Sequence, residues 1–555
     1  MGLVGAMNRS GLRTSPMQRQ QLCGCGSAAV LHWGILSGLF FPLFAAAQDV
    51  QPISVASKFS IVPRVSVTET FTNNALLDNA NKRSDLITQL SPGIRISSTG
   101  GRIKGSIDYS LTELLYSNNS SRNQSINNLN ASGTVEAVDG WAFLDFSGNV
   151  GQQAISAFGT PSSGGVLSRA NSTESAVFQL SPYLRGRLGG IADYEARYSI
   201  VNSRTASAIV ANSDQRDLLL KLASTRSAFG LSWGVDANNQ TVDYGAGRST
   251  RSSALNARLQ YALNTQWAAY TKIGHESNDF STVNAQTGDF VALGGSWTPN
   301  PDLKVNLDKD NRGFTGLGVN WAPSKRASLT ITRDGRLYGA THNIALAYRT
   351  PSTAWTVSDS RSTTSNPSQN AGPQSASLYD LLTNQFAAGE SDPIRREQYD
   401  AFLQANGIKP GQTAVGGFLS SSLSLQRSQQ VSFALFGARS TVSLVATRSH
   451  NTKLDTLSTA VDDLLTANSV VQSGLSANYS YRLTAKSVAS LAAARQSTSG
   501  SNGVAGTSSK SVTLNLSTQL TRDANASVGA RRAVFDSITT PYSETAVTGN
   551  LSVQF

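Results

Sequence analysis

Most of this chain is written with a period of two. Leu255, Ala257, Leu259, Tyr261 and Leu263 alternate with Asn256, Arg258, Gln260 and Ala262. Phe229, Leu231, Trp233, Val235 and Ala237 alternate with Ser232, Gly234, Asp236 and Asn238, and Val512, Leu514, Leu516 and Leu520 alternate with Ser511, Thr513, Asn515 and Gln519. Alternation sustained over about 9–13 residues specifies a strand with one apolar and one polar face. Roughly two dozen such segments recur, with no hydrophobic helix to cover them. A soluble sandwich would need one continuous core, whereas a transmembrane barrel needs only apolar residues facing lipid and polar ones facing a lumen.

The connectors point the same way. Short ones (99–101, 138–140, 188–190, 264–265, 299–302, 323–326 and 521–524) alternate with longer polar ones (73–83, 117–124, 154–171, 204–213, 278–287, 450–470 and 500–509). Outer-membrane barrels pair short periplasmic turns with long outer loops. If a first strand over 58–72 runs outward, every short connector falls on the periplasmic side. The fold class is therefore all-β: a single large transmembrane antiparallel up-and-down β-barrel. The tally is 24 strands, and weak alternation over 303–361 widens it to about 20–26.

The two ends agree with this. Arg9, Arg13 and Arg19 precede an apolar stretch from Ala28 to Phe44, and Ala45, Ala46 and Ala47 offer a small-residue cleavage site before Gln48. Residues 1–47 read as a secretory signal peptide and 48–57 as a short periplasmic lead. Removing 47 residues and their three arginines from a 555-residue chain of net charge +11 leaves 508 residues at +8. Both cysteines (Cys23, Cys25) and all three methionines lie in the removed part, so Cys-based catalysis or metal ligation is excluded from the rest. The chain ends with Val547, Gly549, Leu551, Val553 and Phe555 on one face, a pattern that resembles the β-signal read by the outer-membrane barrel assembly machinery. Trp141 and Trp267 follow short turns, and Trp297 and Trp321 precede Pro299 and Pro323, which suits an interfacial aromatic girdle with bulges at the prolines.

Residues 362–417 break the alternation and read as two short helices, 375–388 and 394–405, with Leu378, Leu381, Leu382 and Phe386 on one face. By strand parity this insert lies on the outer side, as a cap or a plug of the barrel spanning 58–555. No plug-sized segment precedes the first strand, so receptor-type uptake is not expected.

Chemical motifs are sparse. Gly230-Leu231-Ser232-Trp233-Gly234 matches G-x-S-x-G but lies in an alternating strand, not at a strand-to-helix elbow. His275, His342 and His450 are far apart without metal-ligand spacing, and no phosphate loop or dinucleotide fingerprint occurs. No enzyme activity, cofactor or metal is expected. Only 15% of residues are charged and no Lys/Arg run occurs, so nucleic acid is not an expected partner. The polar faces carry both signs: Lys104 with Asp108; Arg185 with Arg187; Asp193, Glu195 and Arg197; Arg258; Lys304 with Asp308. Facing the lumen, they would make it wet and mixed with a cationic bias, either a path for a polar polymer or simply a solvated wall.

Several segments resemble the outer-membrane β-barrel proteins of PEP-CTERM/exosortase systems. They are Ser84-Asp85-Leu86-Ile87-Thr88-Gln89-Leu90-Ser91-Pro92-Gly93-Ile94, Gly140-Trp141-Ala142-Phe143-Leu144-Asp145, Trp321-Ala322-Pro323-Ser324-Lys325-Arg326 and Arg336-Leu337-Tyr338-Gly339. Gln179-Leu180-Ser181-Pro182 echoes the first, without its Gly. The resemblance implies an outer-membrane location and a role as conduit or assembly component for exopolysaccharide or exosortase-sorted surface material, with surface polysaccharide or its export apparatus as partner beside membrane lipid. A general diffusion porin for small polar solutes and a non-transporting structural or adhesin barrel are the alternatives.

Overall fold

The computed structural model describes residues 59–164, 168–227, 229–244, 248–280, 286–365, 417–455 and 462–555. The signal peptide with Ala45, Ala47 and Gln48, the periplasmic lead, Lys58 and both insert helices lie outside the described residues. The strands are Phe59–Thr72 (β1), Asp85–Ser98 (β2), Ile103–Tyr116 (β3), Gln124–Val138 (β4), Ala142–Ala154 (β5), Ser172–Leu188 (β6), Ala192–Thr205 (β7) and Ser213–Ser224 (β8). They continue with Leu231–Asp243 (β9), Ser249–Ala262 (β10), Trp267–Asp279 (β11), Gln286–Asn300 (β12), Leu303–Asp310 (β13), Thr315–Ser324 (β14), Ala327–Asp334 (β15) and Thr341–Arg349 (β16). The last are Thr353–Thr364 (β17), Ser424–Phe436 (β18), Ser440–Lys453 (β19), Ser469–Arg482 (β20), Ser487–Gly500 (β21), Thr507–Gln519 (β22), Ala524–Asp536 (β23) and Tyr542–Gln554 (β24).

Each strand pairs antiparallel with its sequence neighbours, and β1 pairs with β24 from Arg64↔Gln554 to Thr72↔Ala546. The 24-stranded sheet is thus a closed barrel, the one β architecture that satisfies every backbone group in a bilayer. No helix of the described residues is long and apolar enough to cross a membrane, so the crossing is made by strands. The connections after even-numbered strands run from two to six residues, and every connection longer than six follows an odd-numbered strand, although some odd ones, such as 311–314 between β13 and β14, are short as well. At Gly140 the turn between β4 and β5 takes φ +64°, where a side chain would be strained.

Local details refine the sequence reading. β13 and β15 span only 8 residues each, too short for sustained alternation, which is why this stretch is weak in sequence. The ladders shift register between Trp297 and Asn300 and between Trp321 and Ser324, so both Trp-x-Pro motifs are bulges, and the strands run past the prolines rather than ending there. The insert begins later than the alternation implies, because β17 continues through Ser362 to Thr364 as a ladder with β18.

One face of the wall is apolar and exposed: Ile107 and Tyr109 on β3, Leu255 and Leu259 on β10, Leu514 and Leu516 on β22, and Val547 and Leu551 on β24. The tryptophans ring the short-turn end of this face. Trp267 stacks on Trp297 at 5.8 Å, Trp355 lies 4.3 Å from Phe433, and the Trp141 indole donates to the Tyr194 hydroxyl at 2.6 Å. Leu514→Arg, which puts a charge into this band, is expected to cost about 2–4 kcal/mol. Thr513→Arg, one residue along and facing the other way, should cost far less; equilibrium unfolding in lipid vesicles checks the pair.

Candidate functional site: the inner wall and the tied mouth

The opposite face of each strand carries the charges. On β3, Lys104 and Asp108 alternate with exposed Ile103, Ile107 and Tyr109 and share parity with Leu114 and Tyr116, which loops bury at the long-loop end. Arg64 of β1 reaches across β2 to pair with Asp108. Gly93 makes this reach feasible, since a Cβ there would lie 3.0 Å from the Arg64 Nε and 2.8 Å from the Tyr109 carbonyl.

On β5 to β7, Phe143 and Tyr183 stack at 5.0 Å on this same face. Arg185 covers Phe143 at 4.2 Å and Arg197 covers Tyr183 at 3.9 Å, so two aromatic rings are held between two guanidinium groups. Arg197 also pairs with Asp145 at 2.6 Å and Glu195 at 3.2 Å, and Arg187 pairs with Asp193 at 3.0 Å. On β10 to β13, Arg258 lies 3.7 Å over the Tyr270 ring, while Lys272 and the Tyr270 hydroxyl both donate to Asp308, at 2.6 and 2.9 Å. Lys304 shares the face of Asp308, two positions along β13. The cationic bias read for this wall is compensated locally: the register seats a carboxylate against Arg64, Arg187, Arg197 and Lys272.

A stretch of chain also packs among the loops at the long-loop end. Phe418 bridges Ala154 of β5, and the segment from there to β18 is buried, with Leu419, Ser420, Ser421 and Ser422 at 1% exposure or less. Asp462 caps the short helix Asp463–Ala467 (α1), accepting from the Leu465 N–H at 3.0 Å. Its other oxygen accepts from the Ser420 hydroxyl and the Ser421 N–H, each at 2.8 Å. Arg248 ties the same segment from the β9–β10 loop, donating to the Ser421 carbonyl at 2.5 Å and to the fully buried Asp455 at 2.6 Å. Asp463 accepts from Ser156 at 2.8 Å and the Ala157 N–H at 2.6 Å in the β5–β6 loop. Burial raises the Asp463 carboxyl above its ordinary range, against the pull of those two bonds. Its ionised form therefore carries a penalty that disappears as pH falls through that raised value, so acid does not loosen the mouth at this residue. Burial likewise pushes the Tyr244 hydroxyl up to about 12, although the Arg248 guanidinium lies 4.1 Å over its ring.

The remaining sequence candidates fall elsewhere. Ser232 sits in β9, with no elbow to make it a nucleophile. His275 faces outward with Asp289 at 2.6 Å, and His342 faces outward with Asp359 at 3.0 Å. Among the described residues no cluster of three His, Cys, Asp or Glu side chains is placed to hold a metal. Val547, Leu551, Val553 and Phe555 lie on the apolar outer face, and the Phe555 N–H donates to the Pro63 carbonyl at 2.9 Å across the seam. The sequence reading missed Phe143 and Tyr183 as inward aromatics; the available signal was that Phe143 shares the parity of Asp145 and Tyr183 that of Arg185 and Arg187.

A closed wall with an apolar outer band and a polar inner face defines an outer-membrane β-barrel, and the chain is one. No protein-family profile matches it, and no curated protein does. Among solved structures it is similar to the FrpB iron transporter from Neisseria meningitidis (F5-1 variant, apoprotein form), at 10% identity over 89% of this chain and 81% of that one, TM-score 0.43. It is also similar to the siderophore receptor PirA from Pseudomonas aeruginosa (10%, 89% and 80%, TM-score 0.37) and to the ferric citrate transporter FecA in its unliganded form (9%, 89% and 78%, TM-score 0.36).

Proposed function

We propose that this barrel is a gated conduit for polar surface material, by class an exopolysaccharide or a sorted surface polymer, assembled by the outer-membrane barrel machinery. The observation that supports it best is the tied mouth: a chain segment bonded by Asp462 and Arg248 to loops from other parts of the rim is a device for opening and closing. The inner wall suits such cargo, since Ser, Thr, Asn and Gln alternate along β17 to β19 and Arg64, Arg187, Arg197 and Lys272 are each paired with a carboxylate. The resemblance to exosortase-associated barrels supports the polymer class.

The test is deletion of the gene in the native host, with surface and periplasmic polysaccharide quantified separately. Surface polymer is expected to fall at least tenfold and the periplasmic pool to rise. An unchanged distribution, together with slower uptake of small polar solutes, would replace this reading with a diffusion porin.

A further inference from the structure

On five neighbouring strands the outward face carries a basic or imidazole residue at one level. Arg333 of β15, His342 of β16, Arg361 of β17, Arg427 of β18 and His450 of β19 are successive register partners. All five share the face of Trp321, Tyr348, Trp355 and Phe433, which is the lipid side. They sit toward the long-loop end; on β17 and β18 one polar position, Asp359 and Gln429, separates Arg361 and Arg427 from the apolar Val357 and Val431 below. Arg448, two positions from His450, extends the row. After β20, which opposes Arg448 and His450 with Ser473 and Val471, Arg495 and Lys510 are partners on β21 and β22 two residues nearer the short turns, and Arg532 on β23 opposes Val512 a further step along. Asp359 and Asp536 are the carboxylates that strands β15 to β24 place on this face. Asp359 is held by Arg427 and His342, and Asp536 lies 3.3 Å from Lys510.

The other arc of the rim is different. Glu69, Glu113 and Glu174 face outward on β1, β3 and β6. Two of its bases sit against acids, Arg204 with Asp214 at 2.6 Å and Arg216 with Asp243 at 3.7 Å, while Arg251 and Lys309 stand apart from one another rather than as opposed like charges. Directly opposed like charges weaken a sheet, yet Arg361 faces Arg427 and Arg495 faces Lys510. Such a row is stable beside an anion. At the upper edge of the lipid band, on the side facing away from the cell, the anion within reach is a headgroup phosphate, and each basic residue near a charged leaflet adds roughly a factor of five in affinity.

We propose that the outer rim of β15 to β23 binds the phosphate groups of a phosphorylated glycolipid of the outer leaflet. The test uses the full mature chain in neutral detergent, titrated with fluorescent bisphosphorylated lipid A and with its dephosphorylated form. Wild type should bind the phosphorylated lipid at least tenfold more tightly. The triple variant Arg333→Gln/Arg361→Gln/Arg448→Gln should lose at least tenfold, the matching Arg→Lys triple should retain binding, and Arg216→Gln/Arg251→Gln/Lys309→Gln on the other arc should stay within twofold. Heat-modifiable gel mobility checks that each variant is folded. Equal affinity for the two lipids, equal loss on both arcs, or displacement of the lipid by a soluble acidic polysaccharide would overturn the proposal.

Discussion

Asp462→Ala is expected to turn a quiet barrel into a conducting one. The carboxylate caps α1 with one oxygen and holds Ser420 and Ser421 with the other. Losing an N-cap costs about 1 kcal/mol. Leaving the buried Ser421 N–H without its acceptor adds about 1–3 kcal/mol. Together these raise the population of the untied segment by roughly 30- to 1000-fold, since each 1.4 kcal/mol is tenfold. Planar-bilayer recording is the measurement: wild type should be silent or flicker, and the variant should show long open events. Asp462→Asn keeps an oxygen for the helix cap and should fall between. A wild type that already conducts steadily, or a variant as silent as wild type, would remove the mouth from the mechanism.

Glu544→Ala should produce the largest loss of stability. Glu544 is 1% exposed at the inner side of the seam, where it accepts from the Arg531 guanidinium and the Thr72 hydroxyl, each at 2.9 Å. It links β23, β24 and β1 at the place where the sheet joins itself. Truncation leaves Arg531 nearly enclosed without its carboxylate, which costs about 3–5 kcal/mol. Glu544→Gln retains an acceptor for Thr72 and should cost less. Unfolding midpoints in denaturant, read by the gel shift between folded and unfolded barrel, give both values; a change under about 1 kcal/mol for the alanine variant would show that the seam relies on its ladder alone.

The wall was legible because its rule is local. Period-two alternation needs no knowledge of partners, so the 24 strands could be read directly. What escaped is non-local. Asp462 meets Ser420 at 42 residues' separation and Arg248 meets Asp455 at 207, with no motif to announce either contact. The aromatic pair between Arg185 and Arg197 depends on the register of β5 against β6, which alternation alone does not set. The basic outer row was hidden for a related reason. Its members are single residues on successive strands, and only the ladder brings them into line.

Change in length can enter this chain at one end only. The connectors after even-numbered strands stay within six residues and fall to two at 301–302 and 325–326, and the strands they join are paired residue against residue along ladders such as β10 with β11 and β22 with β23. A single insertion within a strand would send every later side chain of that strand to the wrong solvent, exchanging lipid for water. Lineages descended from this barrel should therefore diverge by lengthening and shortening the opposite set of loops, so that the surface shown to the outside varies while the part anchored in the cell's own envelope keeps its spacing.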